Sequence, residues 1–273
     1  MKREGSKLVL LCVSLVCLSL LLASESSGQL DTTDLLAVWL MDKGSGEKVL
    51  DSSENNFNGF FEGGKPKWVD GVFGKALQFE GGPGFVQIEK PIIVDSVDVS
   101  IGAWIKPAKT QKTWTNILAS HQEINGAKRG ISFEQWGDNH NSWTAPLGTG
   151  ADWNVDMAGG KKIFTEVEAE VWQHLAYVRK GTKATMYLDG KVSFADGKVS
   201  KEPVADALGF RIGESQCCPG RNFEGLIDEG FIFKRALSHD EIKSITKGWE
   251  AALSLQPQAK VPIAWGSIKT QYQ

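Results

Sequence analysis

The chain has 273 residues, a formal net charge of −3, ten Trp and four Cys. No run of Lys or Arg tracks with aromatics, which excludes nucleic acid as an expected partner. Beyond the first 28 residues only the adjacent Cys217 and Cys218 remain, so a long-range disulfide staple is excluded as well.

Lys2, Arg3 and Lys7 precede an apolar run over 8–23 and a small, polar stretch over 24–28, which is the layout of a secretory signal peptide. Ser14 and Ser19 interrupt the run, which falls short of the ~20 residues a span requires. Cleavage near Gln29 is therefore expected, leaving no membrane span in the mature chain. Neither Cys12 nor Cys17 follows the small residues of a lipoprotein site. Losing Lys2, Arg3 and Lys7 against Glu4 and Glu25 takes the charge from −3 to −4. The expected location is secreted, cell-surface or periplasmic. About 245 residues remain, enough for one β-sandwich domain over 29–250, with 251–273 as a tail.

Residues 37–41 form a short apolar strand centred on Trp39, followed by turn chemistry from Asp42 to Gly46. Residues 51–59, DSSENNFNG, concentrate hard oxygen donors as a calcium loop does, without the spacing of an EF-hand. An Asx-rich surface loop is the competing reading. Residues 76–79 and 85–88 are strands, 99–105 alternate as a central strand, and 116–120 and 131–136 add two more.

Between 135 and 162 the pattern dissolves into Gly, Asn, Asp and Trp. Trp136, Trp143 and Trp153, with Trp114 before them and His140 among them, place more aromatic surface than a loop can bury. Exposed rings beside amides and carboxylates suit a sugar, whose C–H faces lie on the ring while its hydroxyls bond to polar groups. The competing reading has these Trp side chains plugging the open ends of a sandwich.

Residues 171–179 read as a strand apolar on both faces, with His174 a core histidine, and 184–194 as a hairpin turning at Asp189-Gly190. Cys217 and Cys218 follow a strand over 207–213. In an oxidising compartment they form a vicinal disulfide, stay as thiols or pair between molecules. Residues 224–233 read as a strand with Leu226 and Ile232 on one face and Ile227, Phe231 and Phe233 on the other. Its central Asp228 and Glu229 need a cation or hydrogen-bond donors if buried. Ser238 to Glu241 fits a capping box, and Ile242, Ile245 and Trp249 share one helical face. From Ala251 the pattern fades, and Pro257 and Pro262 oppose a long element.

The order of these pieces resembles the LamG-like jelly-roll domains of the concanavalin A-like lectin/glucanase superfamily over roughly residues 35–247. The matching motifs are Trp39 with Asp42, Gly44, Ser45 and Gly46; Asp51-Ser52-Ser53; the run from Asp70-Gly71 through Gly74 to Phe79; IGAWIKP at 101–107; WQHLAY at 172–177; YLDG at 187–190; RIGE at 211–214; and the G-x-I-D-E strand, R-A-L-S turn and D-E-I helix at the end. The resemblance implies an all-β, two-sheet antiparallel sandwich with one short C-terminal helix. It also implies a structural Ca²⁺ held by Asp228 with backbone carbonyls near the first strand. Asp51 and Asn56 are further ligand candidates from loop composition alone. The alternative is that Asp228 and Glu229 pair with Arg235 or Arg211.

Glu166, Glu168 and Glu170 alternate as the acids of laminarinase-type enzymes do, and two carboxyls on one strand face can supply glycosidase spacing. The middle acid departs from that pattern in being Glu instead of Asp, and an isolated acidic run is more often a solvated edge. No His cluster has metal-ligand spacing and no nucleophile motif is present. The expectation is a secreted non-catalytic module binding carbohydrate or a glycosylated surface. The alternatives are a glucanase-type glycoside hydrolase and a protein-binding adhesion module.

Overall fold

The structure is a computed structural model that describes residues 30–136, 142–151, 153–154, 157–158, 161–162, 165–207, 209–218 and 220–254. The expected signal peptide and residues 255–273 lie outside the described residues. Two antiparallel sheets form the body. The first runs, edge to edge, through Lys191–Lys198, Lys183–Leu188, Gln173–Lys180, Val99–Pro107, Glu224–Phe233, Lys75–Glu80 and Lys67–Asp70, with Leu35–Trp39 also on Glu224–Phe233. The second runs through Trp153–Asn154, Leu147–Thr149, Ala127–Gln135, Asn116–Ala119, Arg211–Ile212, Phe85–Ile88, Gly59–Glu62 and Lys48–Val49. Ser142–Thr144 and Gln122–Ile124 also pair with Ala127–Gln135.

Between the sheets lies one apolar layer. Trp39, Leu77, Ile101, Ile105 and Ile227 from the first sheet meet Val86, Ile88, Leu118, Phe133 and Ile212 from the second. Burying side chains of this size stabilises by about 1.5–3 kcal/mol each, which is why the inward positions are apolar in both sheets.

The last strand departs from the expected alternation. Asp228 pairs with Trp104 and Phe231 with Gly102, so three steps on one strand match two on the other. This bulge puts Glu229 at φ 45° and reverses the side-chain parity beyond it. Ile227 and Ile232 consequently share the inter-sheet core, while Phe231 and Phe233 turn to the outer face. Gly102 accommodates that turn, because a Cβ there would lie 2.6 Å from the Phe231 ring.

Two helices cover that outer face. His239–Ile245 starts at a complete capping box, with Ser238 accepting from the Glu241 N–H and Glu241 from the Ser238 N–H. Trp249–Ser254 is a second helix, formed where the sequence pattern fades. Its Trp249 and Ala252 pack with Ile242 and Ile245 onto Phe231, Phe233 and Tyr187. The Asp189-Gly190 turn has φ 50° and 73°, the left-handed pair a two-residue I′ hairpin requires.

The other sheet leaves its outer face polar. In Ala127–Gln135, Ile131 and Phe133 point into the core, so Ser132 and Glu134 point away from it. A second bulge, between Phe133 and Glu134, sets Glu134 opposite Asn116.

Candidate functional site

Glu134 lies at the floor of a cleft on this polar face, with Ser132 and Asn116 buried behind it. The Ser132 hydroxyl bonds to Asn116 Oδ1 and lies 3.3 Å from Glu134 Oε2. Glu134 is only 3% exposed, yet its carboxylate receives no backbone N–H among the bonds described. His121 Nδ1 lies 3.6 Å and Arg221 Nη1 3.9 Å from Glu134 Oε2, both longer than a direct hydrogen bond. His121 is 7% exposed, and its Nδ1 has no hydrogen-bond partner among the described residues.

Aromatic walls rise from this floor. Trp114 and Trp136 meet edge to face at 4.5 Å between centroids, and the Trp153 ring lies 3.7 Å from His121. All three Trp residues are half-buried. Trp114 has φ 63°, a left-handed conformation that costs a non-glycine residue about 1–3 kcal/mol. Its backbone is held on both sides, its N–H donating to Gln135 Oε1 at 3.1 Å and its carbonyl accepting from Asn116 Nδ2 at 2.7 Å. The Arg221 guanidinium stacks 5.5 Å over the Trp114 ring.

Pro146, Glu123 and the Cys217–Cys218 disulfide complete a cleft of about 320 Å³. The Ser215 hydroxyl lies 3.4 Å from Cys217 Sγ. Glu123 at the rim pairs with Lys128. Three of the four Trp residues expected at a binding surface are thus brought together here. Trp143 is not among them: it is fully buried, paired with Gln135 and Thr165, and packs edge to face on Phe223 at 6.0 Å in the core. Strand parity explains the correction, because its neighbours Ser142 and Thr144 take the other face. His140 lies outside the described residues.

A family model of the Concanavalin A-like lectin/glucanases superfamily, Laminin_G_3, matches residues 80–243. The chain belongs to this laminin G-like family. No curated protein matches in sequence. Among solved structures, domain 4 of AbnA, a GH43 extracellular arabinanase from Geobacillus stearothermophilus in complex with arabinotriose, is similar with 22% identity and TM-score 0.59, over 78% of this chain and 98% of that one. The binding domain of Botulinum neurotoxin DC in complex with SialylT has 12% identity and TM-score 0.56, over 80% of this chain and 51% of that one. Trypanosoma rangeli sialidase has 14% identity and TM-score 0.55, over 81% of this chain and 34% of that one. This laminin G-like chain therefore spans nearly all of the arabinanase domain, half of the neurotoxin domain and a third of the sialidase.

The calcium that the family implies can be tested against the donors present. Both Asp228 oxygens are engaged: Oδ2 accepts from the Val72 and Phe73 N–H groups at 2.9 and 3.2 Å, and Oδ1 from the Glu229 N–H at 2.8 Å. Gly71 permits this approach, since a Cβ there would lie 2.4 Å from Asp228 Oδ2. Asp51 is likewise committed, taking the Val38, Ser53 and Phe57 N–H groups and the Ser53 hydroxyl. Asn56 is exposed and donates to the Glu54 carbonyl at 3.3 Å. No group of three or more His, Cys, Asp or Glu among the described residues could hold a metal ion. These residues do not fit the ion. Backbone amides supply instead the positive charge density that Asp228 and Asp51 need.

Arg235 and Arg211 do not serve Asp228 and Glu229 either, because Arg235 pairs with Glu241 at 2.6 Å and Arg211 with Glu214 at 2.7 Å. Burial, with Asp228 alongside, pushes the Glu229 carboxyl up to about 8. Burial pushes Asp228 up to about 7, against its three N–H donors. His174 is a neutral core residue, driven down to about 3 by burial and stacked on Phe231. In the acidic run, Glu166 ends the short strand Thr165–Glu166, whereas Glu168 and Glu170 follow it outside any strand; all three are exposed. No continuous strand therefore holds the three acids in register.

His121, Glu134 and Arg221 were not legible as site residues. The one local signal was the polar alternation of Ser132 and Glu134 against Ile131 and Phe133. His121 and Arg221 reach the cleft only through strand order, which no local pattern encodes.

Proposed function

We propose that this chain is an exported, non-catalytic carbohydrate-recognition module that holds an oligosaccharide in the Trp114–Trp136–Trp153 cleft. The observation that carries this reading is the pairing of three half-buried Trp rings with the buried carboxylate of Glu134 and imidazole of His121 in one cleft. Such a site matches a sugar on both counts. Ring faces cover the apolar C–H patches, while the carboxylate and imidazole at the floor meet hydroxyls. A volume of about 320 Å³ falls within the range of small-ligand pockets.

Two similar folds point the same way, since the arabinanase domain is described in complex with arabinotriose and the neurotoxin domain with SialylT. Export is supported by the basic, apolar and small-residue order of the first 28 residues and by adjacent cysteines that suit an oxidising compartment. The non-catalytic reading is supported by the exposure of Glu166, Glu168 and Glu170, of which only Glu166 lies on a strand.

The test is a glycan array followed by calorimetric titration of the best ligand, with Trp136→Ala beside wild type. A loss of affinity of about five- to 150-fold with the thermal midpoint retained is expected, taking the about 1–3 kcal/mol that a ring stacked on a nucleic-acid base contributes as the scale. Silence on the array together with capture of a cell-surface protein would overturn the sugar reading. Release of reducing ends from a β-glucan would overturn the non-catalytic one.

A further inference from the structure

We propose that the cleft selects uncharged sugars and rejects both carboxylated and amino sugars. This rests on the reading of the cleft as a sugar site and specifies its ligand class.

Charge at the floor is the starting point. Glu134 is 3% exposed, so a second carboxylate brought beside it meets like charge where solvent screens little. Arg221 is the one permanently cationic side chain among the described lining residues. It already faces Glu134 at 3.9 Å and lies over Trp114, so its charge is matched before a ligand arrives. Glu123 at the rim adds a further negative charge, itself paired with Lys128. A carboxylated sugar therefore finds two acids, each already paired with a cation. An ammonium group fares no better: the carboxylate that would attract it is shared with Arg221, which repels it.

Hydroxyls have the opposite fit. His121 is 7% exposed and lines the cleft, and its Nδ1 is buried without a hydrogen-bond partner among the described residues. A buried polar atom in that state calls for a ligand group to satisfy it. A hydroxyl can donate to Glu134, and it can either donate to or accept from an imidazole nitrogen. One neutral diol thus answers both groups in either imidazole tautomer. A carboxylate could answer only a protonated Nδ1, and would do so within reach of Glu134.

The experiment uses matched ligands on the wild-type chain: N,N′,N″-triacetylchitotriose against the chitosan trimer, lactose against 3′-sialyllactose, and galactotriose against trigalacturonate, on an array and by calorimetry. In every pair that binds, the neutral member is expected to bind at least tenfold more tightly. A charged member binding within threefold of its neutral partner overturns the proposal while leaving the sugar site standing. Absence of binding by all members, and by the wider array, overturns both.

Glu134→Gln keeps the shape and removes the charge, so the penalty against sialyllactose and trigalacturonate should shrink at least threefold. Where melting shows that this variant does not fold, Glu123→Gln at the rim should shift the ratio in the same direction. An unchanged ratio in every folded variant removes the carboxylates as the cause and overturns the proposal.

Discussion

At the scale of single residues, the buried acids of the bulge give the sharpest expectation. Glu229 Oε1 receives one long bond from the Trp249 N–H at 3.4 Å, and its Oε2 has no partner among the described residues. Its carboxyl, raised from 4.5 to about 8, stays protonated in the folded chain at pH values where the unfolded chain has ionised. Stability is then fully present below about pH 4.5 and declines as pH rises toward 8, because the folded state binds the extra proton. Glu229→Gln mimics the protonated acid, so it should flatten this decline and gain most near pH 8. Thermal melts of both proteins between pH 4.5 and 8.5 check this through their difference. An identical pH slope in the two would show that Glu229 is ionised in the fold. The need of Asp228 and Glu229 for compensation was legible from their place in an apolar strand, whereas the donors that Asp228 finds in the amides of Val72 and Phe73 were not. Those donors sit 156 and 155 residues away in the chain.

Among the elements, legibility followed locality. The hairpin at Asp189-Gly190 and the capping box at Ser238 each lie within a few consecutive residues, and both formed as their chemistry dictates. The two bulges did not announce themselves, since each is a mismatch of register between strands distant in sequence. Their consequences are large: one turned Phe231 and Phe233 onto the helices, and the other set Glu134 beside Asn116. The Cys217–Cys218 loop is the element on which the cleft depends most directly, as it lines the cleft and leads into Arg221. Adjacent cysteines enclose almost no chain, so the disulfide restricts the unfolded state little and adds little stability. Replacing both cysteines with Ser should therefore lower affinity for the best neutral sugar about three- to tenfold, about 0.7–1.4 kcal/mol, with a small change in melting temperature. Titration and melting of the variant measure the two effects separately. A large fall in melting temperature with unchanged affinity would assign the disulfide to the fold instead of the site.

On the scale of the whole molecule, the sandwich was legible because many short motifs occur in an order that only this topology accommodates. The cleft was legible only as an aromatic-rich stretch, because Trp114, His121, Trp153 and Arg221 converge through sheet order. That order also separates two tasks. The helices seal the outer face of one sheet through Trp249, Phe231 and Phe233, and the cleft lies on the outer face of the other. Between them stands the apolar layer, which carries most of the burial. Damage to the helical seal should thus reach stability without reaching the ligand. Trp249 is fully buried and stacks on Phe233 at 6.1 Å between centroids. Its replacement by Ala is expected to cost about 3–5 kcal/mol, a fall of about 10 °C in melting temperature for a chain of this size. The dissociation constant for the best sugar, measured well below the new midpoint, should stay within twofold of wild type. Trp136→Ala should do the reverse, so the two variants together form a cross-check. If Trp249→Ala weakens binding as much as Trp136→Ala does, the two outer faces are coupled through the core and the sandwich does not act as a rigid partition.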